Sequence, residues 1–155
     1  MEDIERLNRK LIHAAINTSV NEVKKYLHLG ADVNCTYVDS GDTALQLACC
    51  CNRVDIVQML LEYGCNLNHR NKQGKTALHC AAEFATTDII KVLIEYGCKP
   101  DQIDNSGKTA LLYAAHFGNA DTINVLLEHG CKPDQKDNLV IQVTYKNKKV
   151  DATGG

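Results

Sequence analysis

No apolar run in this sequence approaches the ~18–20 residues that cross a bilayer, and its N-terminus, MEDIERLNRK, carries charges throughout. Neither membrane insertion nor a secretory leader is expected. Neither charge is in excess: 17 Lys and Arg face 19 Asp and Glu, a net charge of −2. No overall basic field draws the chain to phosphate, so nucleic acid is not expected as a partner. There is no glycine-rich phosphate loop ending in Gly-Lys-Ser/Thr and no His-Glu-x-x-His. None of the six His stands with Ser, Cys or acid in a catalytic frame. Cys49-Cys50-Cys51 supplies neither a C-x-x-C pair nor a Cys/His set at zinc spacing. The expected catalytic, cofactor-binding and metal-ligating residues are therefore none, and an enzyme is the disfavoured class.

What is present suits one domain or a short repeat array: 155 residues, 17.1 kDa, 45% apolar and 23% charged, too apolar for a disordered chain. Eight Cys would suggest a disulfide scaffold in a secreted protein. Without a leader they read as reduced thiols in the cytoplasm, with entry to the nucleus left open.

The organising feature is a repeat. Thr43-Ala-Leu-Gln-Leu-Ala recurs as Thr76-Ala-Leu-His-Cys-Ala and Thr109-Ala-Leu-Leu-Tyr-Ala, 33 residues apart. Leu60-Leu-Glu-Tyr-Gly-Cys recurs in the same frame as Leu93-Ile-Glu-Tyr-Gly-Cys and Leu126-Leu-Glu-His-Gly-Cys. Counting back from Gly30 places a degenerate first copy with Arg9 where the later copies have Thr. The step from Gly30 to Gly64 is 34, which predicts one extra residue in the Cys35–Gly41 loop. Each copy reads as turn, short helix, second helix, turn. Thr43 and Thr76 are N-caps, Thr43 with Gln46 in a capping-box pattern. Leu78, Ala81 and Ala82 fall on one helical face, as do Ile89, Val92 and Leu93. Gly64, Gly97 and Gly130 close the second helices.

This D/N-x-x-G-x-T-A-L-x-x-A…L-L-E-x-G pattern resembles the ankyrin repeat, with Ala44, Ala77 and Ala110 where that family usually has proline. The resemblance implies an all-α solenoid of helix-turn-helix units with hairpin-like loops. It spans an expected domain at residues 1–138, with approximate copies at 5–37, 38–70, 71–103 and 104–136. A fifth copy starts at Asp137-Asn138 and fails. Residues 139–155 form a divergent tail, in which Leu139–Tyr145 reads as a strand that could fold back as a cap for the last repeat. Gly154-Gly155 matches the end of ubiquitin-like modifiers in two residues only, which has almost no specificity.

The resemblance further implies a partner protein bound on the concave side, without a cofactor, by a chain expected to be monomeric. The residues ending each first helix are Ile16 and Asn17, Cys50 and Cys51, Glu83 and Phe84, and His116 and Phe117. Of these, Cys51, Glu83, Phe84, His116 and Phe117 are candidate contacts, with Phe84 and Phe117 stacked on neighbouring repeats as an aromatic ridge. At the hairpin tips the candidates are Tyr37, Asp39, Arg70, Lys72, Gln73, Ile103 and Asn105. Each also has a purely structural reading, as groove packing for the rings and as solvated filler for the loop residues. Cys65, Cys98 and Cys131, together with Cys49 and Cys80, read as small buried hydrophobes. His79 reads as a strut between repeats. The expected function is regulation by masking a partner's surface, as in ankyrin-type inhibitors. The alternative is a tethering fragment of a longer array in a membrane-associated or cytoskeletal protein. Met1 ahead of a charged first copy reads as a native N-terminus.

Overall fold

The computed structural model describes residues 3–17, 19–117 and 119–133, together with Gln142. Eight helices fill the described residues in chain order: α1 Ile4–Asn17, α2 Val20–His28, α3 Ala44–Cys50, α4 Val54–Glu62, α5 Ala77–Glu83, α6 Thr87–Glu95, α7 Ala110–His116 and α8 Ala120–Glu128. The odd-numbered helices pack on one another in series, and the even-numbered helices form a second row behind them. This is the all-α solenoid expected from the repeat.

Helices of seven or nine residues are too short to persist alone in water. They are held by caps and by burial. Thr43, Thr76 and Thr109 sit in extended backbone one residue before α3, α5 and α7, where a hydroxyl can meet the first unsatisfied amides. The capping box expected at Thr43 forms with Gln46, and Thr76 forms the same box with His79. The repeated leucines Leu45, Leu78 and Leu111 are each at most 2% exposed, and Leu60, Leu93 and Leu126 are fully buried. Each such side chain contributes roughly 1.5–3 kcal/mol of burial. Small residues Ala48, Ala81 and Ala114 let neighbouring first helices approach closely.

Two details differ from or refine the sequence reading. Arg9 does not begin a helix: α1 starts at Ile4 and runs 14 residues, because the first copy has no Thr N-cap to stop it and Leu7 finds a buried site. The expected extra residue lies between Tyr37 and Asp42. There the hairpin closes from Tyr37 N–H to Asp42 C=O, whereas the later hairpins close one residue sooner, from Asn71 to Lys75 and from Asp104 to Lys108. The fold-back strand expected at Leu139–Tyr145 lies outside the described residues but for Gln142.

Candidate functional site

The hairpins are tied to one another edge to edge. The Lys72 N–H donates to Ser40 C=O and the Asn105 N–H to Gln73 C=O, both at 3.0 Å. Side chains extend the ties: Lys72 Nζ reaches Val38 C=O at 2.6 Å, Arg70 Nη2 reaches Ile103 C=O at 3.0 Å, and Asn105 Nδ2 reaches Lys72 C=O at 2.9 Å. Arg70, Lys72 and Asn105, singled out in the sequence as candidate contacts, thus spend their polar groups on holding adjacent repeats. The Asp39 carboxylate pushes the Tyr37 hydroxyl above its usual range. Gln73 and Ile103 are exposed.

At the ends of the first helices, Cys51, Phe84 and Phe117 are the C-cap residues of α3, α5 and α7. Phe84 is 55% and Phe117 57% exposed, far too open for residues that only fill the groove. Among the described residues no ring contact joins the two. Phe117 instead meets the ring of His116 edge-on, at 6.3 Å between centroids.

Sequence reading missed the feature beside Phe117. A cleft of about 280 Å³ opens between the third and fourth repeats, walled by Lys75, Glu83 and Lys108 and floored by Leu112, Tyr113, His116 and Phe117. Lys75 Nζ lies 2.7 Å from Glu83 Oε2 and 4.8 Å from the centre of the Tyr113 ring. Lys108 Nζ sits 5.5 Å from the same ring. Beneath, the Tyr113 hydroxyl donates to Asp104 Oδ2 at 2.5 Å, while Asp104 Oδ1 accepts from the N–H groups of Ser106 and Lys108, each at 2.9 Å. Burial works against the Asp104 charge, but these bonds outweigh it and hold the carboxyl below its usual range. Burial and the Asp104 carboxylate together push the Tyr113 hydroxyl far up. The legible signal was the residue before each Thr: Asp42, Lys75 and Lys108 occupy one position of the repeat.

All eight cysteines are free thiols. Burial raises Cys35, Cys65 and Cys98 to about 11 and Cys131 to about 12, and Cys49 and Cys80 are also raised. Cys50 goes the other way, because a hydrogen bond from the Cys80 thiol favours its thiolate. Cys51 is exposed. Native maleimide labelling at pH 7.5, read by mass spectrometry, is expected to modify Cys50 and Cys51 first. The thiols that their surroundings push up should lag at least about tenfold behind, since less of each is thiolate at that pH. Equal labelling of all eight would contradict the burial described above.

The geometry defines a class: tandem helix pairs with hairpins aligned on one side and a groove beside them. A sequence profile described as Ankyrin repeats (3 copies) matches residues 3–71 and 65–137. The chain belongs to the ankyrin-repeat family. Ankyrin repeat and SOCS box protein 11 of Homo sapiens and that of Pongo abelii are each 38% identical over 76 residues, covering 47% of this chain and 22% of theirs. The Mus musculus protein of the same name is 40% identical over 77 residues, 48% of this chain and 22% of its own. The chain therefore spans less than a quarter of the length of the curated relatives it matches. Ankyrin repeats are in general protein–protein interaction modules and in general non-catalytic. No helix among the described residues is long and apolar enough to cross a membrane.

Proposed function

We propose that this chain is a non-catalytic binding module that holds a partner protein in the groove beside its hairpins, and that it regulates that partner by masking the surface it covers. The observation that carries this reading is the exposure of Phe84 and Phe117 at equivalent positions of adjacent repeats. Large rings held open to water on a rigid frame are what interface anchors require. The hairpin ties support it, because a surface locked by backbone and side-chain bonds loses little freedom on binding. The module works as a monomer in the reducing cytoplasm, a placement supported by cysteines that fill small-residue positions of the framework; nucleic acid is not its target and it does not insert into a membrane.

The test compares Phe84→Ala/Phe117→Ala with the unaltered chain in capture from cell lysate, after circular dichroism and melting show that both fold. A partner should be retained by the unaltered chain and its affinity reduced about 30-fold or more in the double variant, the ~2 kcal/mol expected of a hot spot. Equal capture by both would move the site away from the groove. A second reading is favoured by the short coverage of the relatives: the same groove serves as one tethering segment of a longer array.

A further inference from the structure

Resting on the groove reading above, we propose that the cleft between the third and fourth repeats receives an acidic side chain of the partner, together with an adjacent apolar side chain, from an extended segment of its polypeptide. The argument is a mismatch between equivalent positions. In the third repeat Lys75 is answered eight residues later by Glu83, at 2.7 Å. In the fourth repeat the same two positions hold Lys108 and His116, so the acid that would answer Lys108 is missing. In the second repeat the position holds Asp42, whose carboxylate is taken by Asn71 Nδ2 at 2.8 Å.

Among the described residues nothing nearby compensates. Asp104 is 5% exposed, and its two oxygens already take Tyr113, Ser106 and the backbone N–H of Lys108. Glu83 is held by Lys75. Among the described residues Lys108 Nζ has no carboxylate within 4 Å; it lies against the face of Tyr113, where a cation is attracted but not neutralised. The cleft thus presents an unanswered ammonium above an apolar floor of Leu112 and Phe117. At about 280 Å³ it has room for one or two side chains. The apolar floor favours a peptide over an inorganic anion, which would leave it wet.

The test selects peptides from a phage-displayed random library on the full chain and measures the synthetic peptides that emerge. They should carry Asp or Glu next to an apolar residue and weaken with added salt. Lys108→Glu should weaken them tenfold or more, and reselection on that variant should replace the acid with Lys or Arg. Lys108→Met, which keeps the apolar stem, should also lose affinity and guards against misfolding of the charge reversal. Peptides that lack an acid, or that ignore both Lys108 variants, overturn the proposal. If they still depend on Phe84 and Phe117, the groove reading stands. If no enriched peptide emerges, the cleft is not a site for a linear segment, and lysate capture alone decides the groove.

Discussion

Replacing Gly74 with alanine is expected to destabilise the array by about 3 kcal/mol, whereas the same change at Gly107 should cost about 1 kcal/mol. Both glycines hold positive φ, +76° and +75°, one repeat apart, so the strain of placing an L-residue there is the same. The surroundings differ. A Cβ on Gly107 meets nothing within 4 Å, while one on Gly74 runs into Asn105 Oδ1 and lies 2.8 Å from both Arg70 Nη2 and Asn105 N. The last of these is backbone and cannot swing aside. Moving it strains the Asn105 to Gln73 bond, and the Arg70 and Asn105 side chains must give up their carbonyls on the next hairpin or on Lys72. Urea denaturation of the two variants measures the difference directly. A small array has only about 5–15 kcal/mol in total, so Gly74→Ala should visibly shift the transition. Equal losses at the two sites would mean that the hairpins are not coupled as their bonds indicate.

The coupling explains how far the sequence could be read. The repeat, its Thr caps, its buried leucine rows and the extra residue between Tyr37 and Asp42 were all legible, because each follows from local spacing. What lay beyond reach depends on contacts between copies. Arg70, Lys72 and Asn105 look like solvent-facing loop residues in one copy; only when the next hairpin is placed 33 residues on do their carbonyl partners appear. Lys108 was passed over for a related reason. Its neighbours Thr109 and Ala110 match the pattern well, and the absence of an acid at His116 has meaning only against the Lys75–Glu83 bond that forms one repeat earlier. The start of α1 at Ile4 was missed because a framework inferred from later copies imposes a cap that the first copy lacks.

His79→Ala is expected to cost about 3–4 kcal/mol, His79→Gln less than about 1, and the glutamine variant should lose part of the stability change with pH. His79 is 1% exposed. Its Nδ1 accepts from Thr76 N–H at 3.1 Å, and since a backbone N–H can only donate, the ring proton resides on Nε2 and is donated to Lys108 C=O at 2.9 Å. Alanine strands both the amide and the carbonyl and leaves a ring-sized void. Glutamine can serve both, as Gln46 does one repeat earlier: its Oε1 accepts from Thr43 N–H at 2.9 Å and its Nε2 donates to Lys75 C=O at 2.7 Å. Burial lowers the His79 value below its ordinary 6.5, against the Lys108 carbonyl and Asp104, which raise it, and with Lys75 and Arg70, which lower it. The unfolded chain therefore binds the proton more readily than the folded one. The contribution of neutral His79 is complete above 6.5 and is lost as pH falls toward the lowered folded value. Melting temperatures at pH 7.5 and 5.5 should fall further in the unaltered chain than in His79→Gln; identical falls would show that the ring takes up its proton inside the fold without penalty. A proton on Nδ1 would face the Thr76 amide and break the capping bond that starts α5, while the Nε2–H bond to Lys108 C=O persists, so acid should disturb the start of that helix first.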